Sequence, residues 1–140
     1  MLPDTLSSNQ VKDASGAEIE FTRLEQVGRT TRFSKTAALG TAFPTDLRVK
    51  HEEVGSGIKK VVRSVIRFDE TSLSEVDGVS PIVDSIYVVQ VTNRGHHTTT
   101  NVQKRLIAQL NSFLALDGSG TTALLDGTGT GAQVLLTGAV

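Results

Sequence analysis

Cysteine and tryptophan are both absent from this 140-residue chain, and tyrosine occurs once, at Tyr87. Without cysteine there is no disulfide framework, no zinc knuckle and no thiol nucleophile, and the redox compartment stays open. Aromatic residues make up only 4% of the chain, so the core has to be built from Val, Ile and Leu with a few Phe. A core that thin gains from a partner subunit. No run of residues approaches the length and apolarity of a membrane span, and the start, Met1 to Thr5, has neither the basic nor the apolar part of a signal peptide. A soluble protein with no membrane partner is the expectation. A charge excess is missing as well: the formal net charge of −1 argues against binding polyanions through bulk charge.

The charges that are present are unevenly placed. From Arg48 to Arg67 six basic residues (Arg48, Lys50, Lys59, Lys60, Arg63, Arg67) face two acidic ones (Glu52, Glu53), so the rest of the chain is net acidic. Length favours one domain over 1–140, with an N-terminal arm at 1–9, a hairpin and sheet at 10–93 and a helical region with a tail at 98–140. Residues 10–23 read as a hairpin turning at Asp13-Ala14-Ser15-Gly16, with Ile19 and Phe21 alternating with Glu18, Glu20 and Thr22. Gly28-Arg29 permits a reversal into Thr30 to Lys35, and a small-residue loop runs from Ala37 to Pro44. A strand begins near Asp46, Gly55-Ser56-Gly57 turns it, and Ile58 to Phe68 returns as a long strand. Period-two alternation puts Val62, Ser64, Ile66 and Phe68 on one face and Lys59, Val61, Arg63, Val65 and Arg67 on the other. One face suits a core and the other an anion. Asp69 to Asp84 reads as a long polar loop, followed by a strand at 85–93 that carries Tyr87 and Val89.

Thr100-Asn101-Val102-Gln103 has the pattern of a capping box and opens a helix expected to run to Leu116. Val102, Leu106, Leu110, Phe113 and Leu114 mark its apolar face, with Ile107 at the border. Beyond Asp117-Gly118 the chain is rich in Gly, Thr and Ala, and Leu124-Leu125 and Val134-Leu135-Leu136 point to a short second helix and an apolar tail. The fold class is therefore α+β: an N-terminal β-hairpin and an antiparallel meander, then C-terminal helices.

This order and spacing of elements, over roughly residues 10 to 116, resembles the coat proteins of small single-stranded RNA bacteriophages. The resemblance implies a homodimer in which two sheets join edge to edge, helices interlock over the outer face, and dimers close into an icosahedral shell. The inner face would meet the single-stranded RNA genome. It also implies an RNA-hairpin repressor role, with a stacking tyrosine on the last strand and basic residues on the strands before it. Tyr87 matches that tyrosine by position, Lys59 and Arg63 match inward-facing basic positions, and Arg48, Lys50 and Arg67 extend the charge. Two residues after Tyr87 the family carries Asn or Asp where this chain has Val89, and Lys59, Val61 and Arg63 lack the Thr of the family's adenine pocket. The implied RNA-binding set is thus Arg48, Lys50, Lys59, Val61, Arg63, Arg67, Tyr87 and Val89. The implied dimer contact is the Val102, Leu106, Leu110, Phe113 and Leu114 stripe. The implied location is the virion, with assembly in the host cytoplasm. A non-viral dimeric RNA-binding regulator using the same face is the alternative.

Other patterns carry less. Adjacent His96 and His97 on an extended segment point to opposite sides with no third ligand, which fits an exposed linker better than a metal site. Asp69, Glu70, Glu75 and Asp77 lack the spacing of a calcium loop, and a polar loop lining a symmetry axis fits them better. Gly127-Thr128-Gly129-Thr130-Gly131 lacks the Lys-Ser/Thr of a phosphate loop and reads as a flexible linker. No serine, histidine or carboxylate falls in a nucleophile or acid/base arrangement, so no enzyme, cofactor or metal is expected.

Overall fold

β-branched residues alternating with polar ones through most of the first 93 positions favour extended, half-buried chain, and strands are what form. The computed structural model describes residues 4–6, 11–96, 101–117 and 123–138. Six strands, β1 (Thr5–Leu6), β2 (Phe21–Val27), β3 (Thr30–Lys35), β4 (Thr45–Val54), β5 (Val61–Leu73) and β6 (Pro81–Asn93), make one antiparallel sheet in sequential order. Two helices, α1 (Asn101–Leu114) and α2 (Thr130–Thr137), follow, with the short strands β7 (Leu116–Asp117) and β8 (Ala123–Leu124) pairing between them. The chain divides into two compact units, the sheet with its loops (Met1–Gln10, Ile19–His97) and a second made of Val11–Glu18 and Thr98–Val140.

Residues paired across antiparallel strands share a face, so the register sorts the sheet into two. On one face Phe33 opposes Leu47, Leu47 opposes Phe68, and Leu6 opposes Phe21. Phe21 and Phe33 are fully buried, and the Phe21 ring meets Phe68 edge-on at 6.1 Å. This is the core of the sheet unit, built from phenylalanine and aliphatic side chains as the composition requires. A bulge at Leu24, between Arg23 and Glu25, re-aims β2, so that Arg23 shares the core face with Phe33 while Glu25 lies opposite Arg32 on the other.

Two expectations about this unit need correction. Asp69 to Asp84 is not a long loop: β5 continues to Leu73 and β6 starts at Pro81, with only Ser74 to Ser80 turning between them. The acidic residues that resemble loop chemistry are paired across the ladder, Glu70 with Asp84 and Asp69 with Ser85. At the turn, Asp77 Oδ1 accepts hydrogen bonds from the backbone of Val79 and Ser80, both at 3.0 Å, and its other oxygen accepts the Ser80 hydroxyl. Those bonds hold its carboxyl well below the ordinary range. Lys59 is not on a strand either. Gly57–Lys59 is a 3-10 turn, and at Gly55 (φ +82°) a Cβ would lie 2.7 Å from the Lys59 carbonyl oxygen. The turn therefore curls where extended chain was expected. The hairpin turn expected at Asp13 to Gly16 is present, in the second unit: Lys12 and Glu18 bridge across it, the one such bridge among the described residues, and Asp13 Oδ1 accepts from the backbone of Ser15 and Ala17 at 2.9 Å. The missed strand is β1, which lies within the expected arm and pairs with β2.

In the second unit α1 ends at Leu114, two residues short of its expected end, because Leu116 pairs with Leu124. The capping threonine at Thr100 lies outside the described residues, as do His97 and Gly118. The expected linker at Gly127 to Gly131 is also corrected. Gly129 caps α2, and Gly131 is buried inside it, where a Cβ would come within 2.4 Å of the Phe113 ring. Glycine is what lets α2 approach α1. The expected second helix is present and contains Val134-Leu135-Leu136.

Candidate nucleic-acid interface

Across the face opposite the phenylalanine core, the register lines up side chains from four strands. Arg32 of β3 opposes Arg48 of β4, Arg48 opposes Arg67 of β5, and Arg67 opposes Tyr87 of β6. The result is a row of three guanidinium groups ending on an aromatic ring that is 62% exposed. On one side of it the next same-face row is Thr30, Lys50, Val65 and Val89, and the row beyond that is Glu52, Arg63 and Val91. Val61 follows at the start of β5. Seven of the eight sequence-derived positions thus share one face, and Lys59 is the exception.

Directly opposed like charges on paired strands repel unless neutralised. The row on the other side of the arginines supplies the neutralising groups: Ser34, Asp46, Asp69 and Ser85. Asp46 and Asp69 are both buried. Asp46 Oδ2 accepts from Arg32 Nη2 at 2.6 Å and from Nε at 3.1 Å. Asp69 Oδ1 accepts from Arg67 Nε at 2.7 Å and from the Ser85 hydroxyl, while Arg67 Nη2 also donates to Ser85 Oγ at 3.2 Å. Burial raises the Asp69 pKa, but the bonds from Ser85 and Arg67, with the charges of Arg67 and Arg48, outweigh it and hold the carboxyl below its ordinary range. Arg48 and Arg63 make no ion pair among the described residues. Lys50 reaches only Glu52, at 3.7 Å.

Chemically, this surface offers two kinds of contact. Arg48, Arg63 and Lys50 present solvent-facing charge for phosphates, and Tyr87 presents a ring face for an unpaired base. Arg32 and Arg67 are tethered by carboxylates, which fixes their direction and removes most of their free charge. Arg32, Asp46 and Asp69 are the residues that sequence reasoning left out. The alternation of Thr30 to Lys35 could have placed Arg32; Asp69 was hidden by its assignment to a loop.

β6 forms the edge of the sheet and pairs only with β5 among the described residues. Its exposed side chains include Val83, Ile86, Tyr87, Val89 and Val91. In the second unit, α1 has no buried residue: Val102, Leu106, Leu110 and Phe113 are exposed and Leu114 is half-buried. Phe113 is partly engaged by Gly131 of α2. The acidic residues weighed against a calcium loop are dispersed, with Asp69 and Glu70 in β5 and Asp77 committed to its own turn.

No protein-family model matches this sequence, and no curated protein matches it significantly. Solved structures do match over the full length. The coat protein of bacteriophage EMS014 superposes with a TM-score of 0.65 at 11% identity, covering 99% of this chain and 97% of that one. The virus-like particle of Beihai levi-like virus 21 gives a TM-score of 0.62 at 9% identity, covering 100% and 97%. That of bacteriophage NT-214 gives 0.61 at 16%, covering 99% and 98%. At these identities the likeness establishes architecture, and the architecture is that of the coat proteins of levi-like bacteriophages.

Proposed function

We propose that this chain is a bacteriophage capsid subunit that pairs as an interlocked homodimer, assembles into an icosahedral shell and packages single-stranded RNA against the arginine face. The observation that carries this reading is the full-length likeness to a phage coat protein and to virus-like particles, which are assemblies of such subunits. Two features of the chain support it. A 13-residue edge strand with exposed valines, isoleucine and tyrosine is a template for pairing with another strand, and a second copy offers an identical one. A helix whose apolar stripe stays exposed at Val102, Leu106 and Leu110 calls for a partner surface. The chain is then a virion component, assembling in the host cytoplasm, with a structural rather than enzymatic role.

RNA packaging rests on the unpaired charges of Arg48 and Arg63 beside Tyr87. Repression through an RNA hairpin is the finer part of the proposal: Tyr87 supplies stacking, and Val89 supplies no hydrogen bond, so discrimination among hairpins is modest. Expression of the full chain alone, followed by electron microscopy and RNA extraction, tests both parts. Closed, RNA-containing particles are expected. A stable monomer at working concentration refutes assembly, and a dimer that binds RNA without forming particles transfers the reading to a non-viral regulator.

A further inference from the structure

The sheet face that carries the phenylalanine core changes character toward its other end. There the turn between β2 and β3, strands β3 to β5 and the end of β6 surround a concavity of about 760 Å³. Its floor is mixed, with Thr31, Val49, Val62 and Ser64. Its rim carries four cationic side chains, Arg23, Arg29, Lys60 and Arg94, against the single carboxylate of Glu53. We propose that this concavity is an oxyanion site for a small polyphosphate-bearing ligand, separate from the arginine row on the opposite face.

The rim is built, not incidental. The Arg29 carbonyl accepts the His51 backbone N–H at 3.0 Å, which pins the β2–β3 turn against β4. Arg94 is held through its neighbour: Gly95 N donates to the Lys60 carbonyl at 3.3 Å, and a Cβ on Gly95 would lie 2.4 Å from the Ile58 carbonyl. The end of β6 therefore lies tight against the β4–β5 turn, bringing Arg94 to the same rim as Lys60. His51 Nδ1 sits 2.9 Å from Ser64 Oγ on the floor. The volume falls in the range of small-molecule sites, roughly 300–1,000 Å³.

Glu53 shows how the cations bind an anion. Its two oxygens reach Arg29 Nη1 at 2.9 Å and Lys60 Nζ at 2.8 Å. Arg23 is engaged by Asp4, outside the lining, and by Gln26 of the lining at 2.9 Å. Arg94 has no ion pair among the described residues, so the rim retains unmatched positive charge after its internal pairs are formed. A ligand with linked phosphoryl groups would engage Arg94 first and compete with Glu53 for Arg29 and Lys60, forming charge-assisted bonds of the kind that favour phosphate recognition. This site lies wholly within the sheet unit.

Calorimetric titration of the nuclease-treated full-length protein with inorganic tripolyphosphate tests it, with thermal melts to confirm that each variant is folded. Arg94→Ala should weaken binding by about tenfold or more, the worth of one charge-assisted hydrogen bond. Glu53→Gln should tighten it, because two cations lose their internal partner. Lys104→Ala, in neither the concavity nor the arginine row, should leave it unchanged. Absence of binding to the parent at millimolar tripolyphosphate overturns the proposal. So does parental affinity in a folded Arg94→Ala, weaker binding by a folded Glu53→Gln, or loss of binding in Lys104→Ala.

Discussion

Replacing Arg48 and Arg67 one at a time should separate free charge from tethered charge on the proposed RNA face. Both side chains stand in the same cross-strand row, yet Arg67 is fixed to buried Asp69 at 2.7 Å and Arg48 makes no ion pair among the described residues. Each phosphate contact on single-stranded RNA contributes about 0.7 to the slope of log K against log salt. Arg48→Ala should therefore flatten that slope by about 0.7 per subunit, so that raising salt from about 50 to 200 mM costs the variant about threefold less affinity than the parent. It should change unfolding far less than Arg67→Ala does, because Arg48 is exposed and touches Asp69 only through its charge. Arg67→Ala should do the reverse. Its charge is largely neutralised, so the salt slope moves less, but Asp69 loses a charge-assisted bond while staying buried. Such bonds are worth about 1.5–3 kcal/mol, and with Arg67 itself 45% exposed the loss should fall near the lower end. Fluorescence binding titrations at several salt concentrations and urea unfolding at pH 7 read the two quantities. Equal slope changes in both variants, or an Arg67→Ala protein as stable as its parent, would refute the division of roles.

Tyr87→Ala should cost about 1–3 kcal/mol in binding an RNA with unpaired loop bases while leaving the salt slope alone, since a ring contributes stacking and no counterion release; parental affinity for every hairpin tested would make Tyr87 merely a strand aromatic. Leu110→Asp should block dimer and particle formation, because a carboxylate in an apolar contact either stays uncompensated or shifts its pKa; normal-sized soluble particles by light scattering would show that the stripe is not buried in the assembly. Phe33→Ala should cost about 3–5 kcal/mol, a large share of the 5–15 kcal/mol typical of a domain, and lower the urea midpoint accordingly. The Asp69 carboxyl has a lower pKa folded than unfolded, so its contribution is fully present at neutral pH and is lost as pH falls below about 4. Asp69→Asn should therefore show a smaller fall in urea midpoint between pH 5 and pH 3 than the parent does.

Strand parity was legible in the sequence because it is a local property. Because Arg63 and Arg67 are four residues apart and each is two from Val65, any extended conformation sets all three on one face, and the ladder confirms it. Tyr87 opposite Arg67 was reachable for the same reason. What failed depended on partners distant in sequence or on glycine geometry. Asp69, Glu70 and Asp84 are poor strand formers by composition, so their stretch resembles a loop. They lie in strands because β5 and β6 pair residue for residue from Val61 with Asn93 to Leu73 with Pro81, and because Arg67 and Ser85 satisfy the Asp69 carboxylate. Tertiary pairing overrode local preference there. Lys59 left the basic face because the Gly55 and Gly57 turns curl into a 3-10 segment, a choice that period-two counting does not contain. The same error concealed the most consequential feature of the surface. With Asp69 treated as loop and Asp46 as a strand start, the arginines looked like uncompensated charge awaiting RNA. The register instead puts a buried carboxylate beside two of the three, and leaves Arg48 as the row's free guanidinium between them. A face that balances most of its own charge can exist before RNA arrives, which is what a subunit that must fold first and meet its nucleic acid later requires.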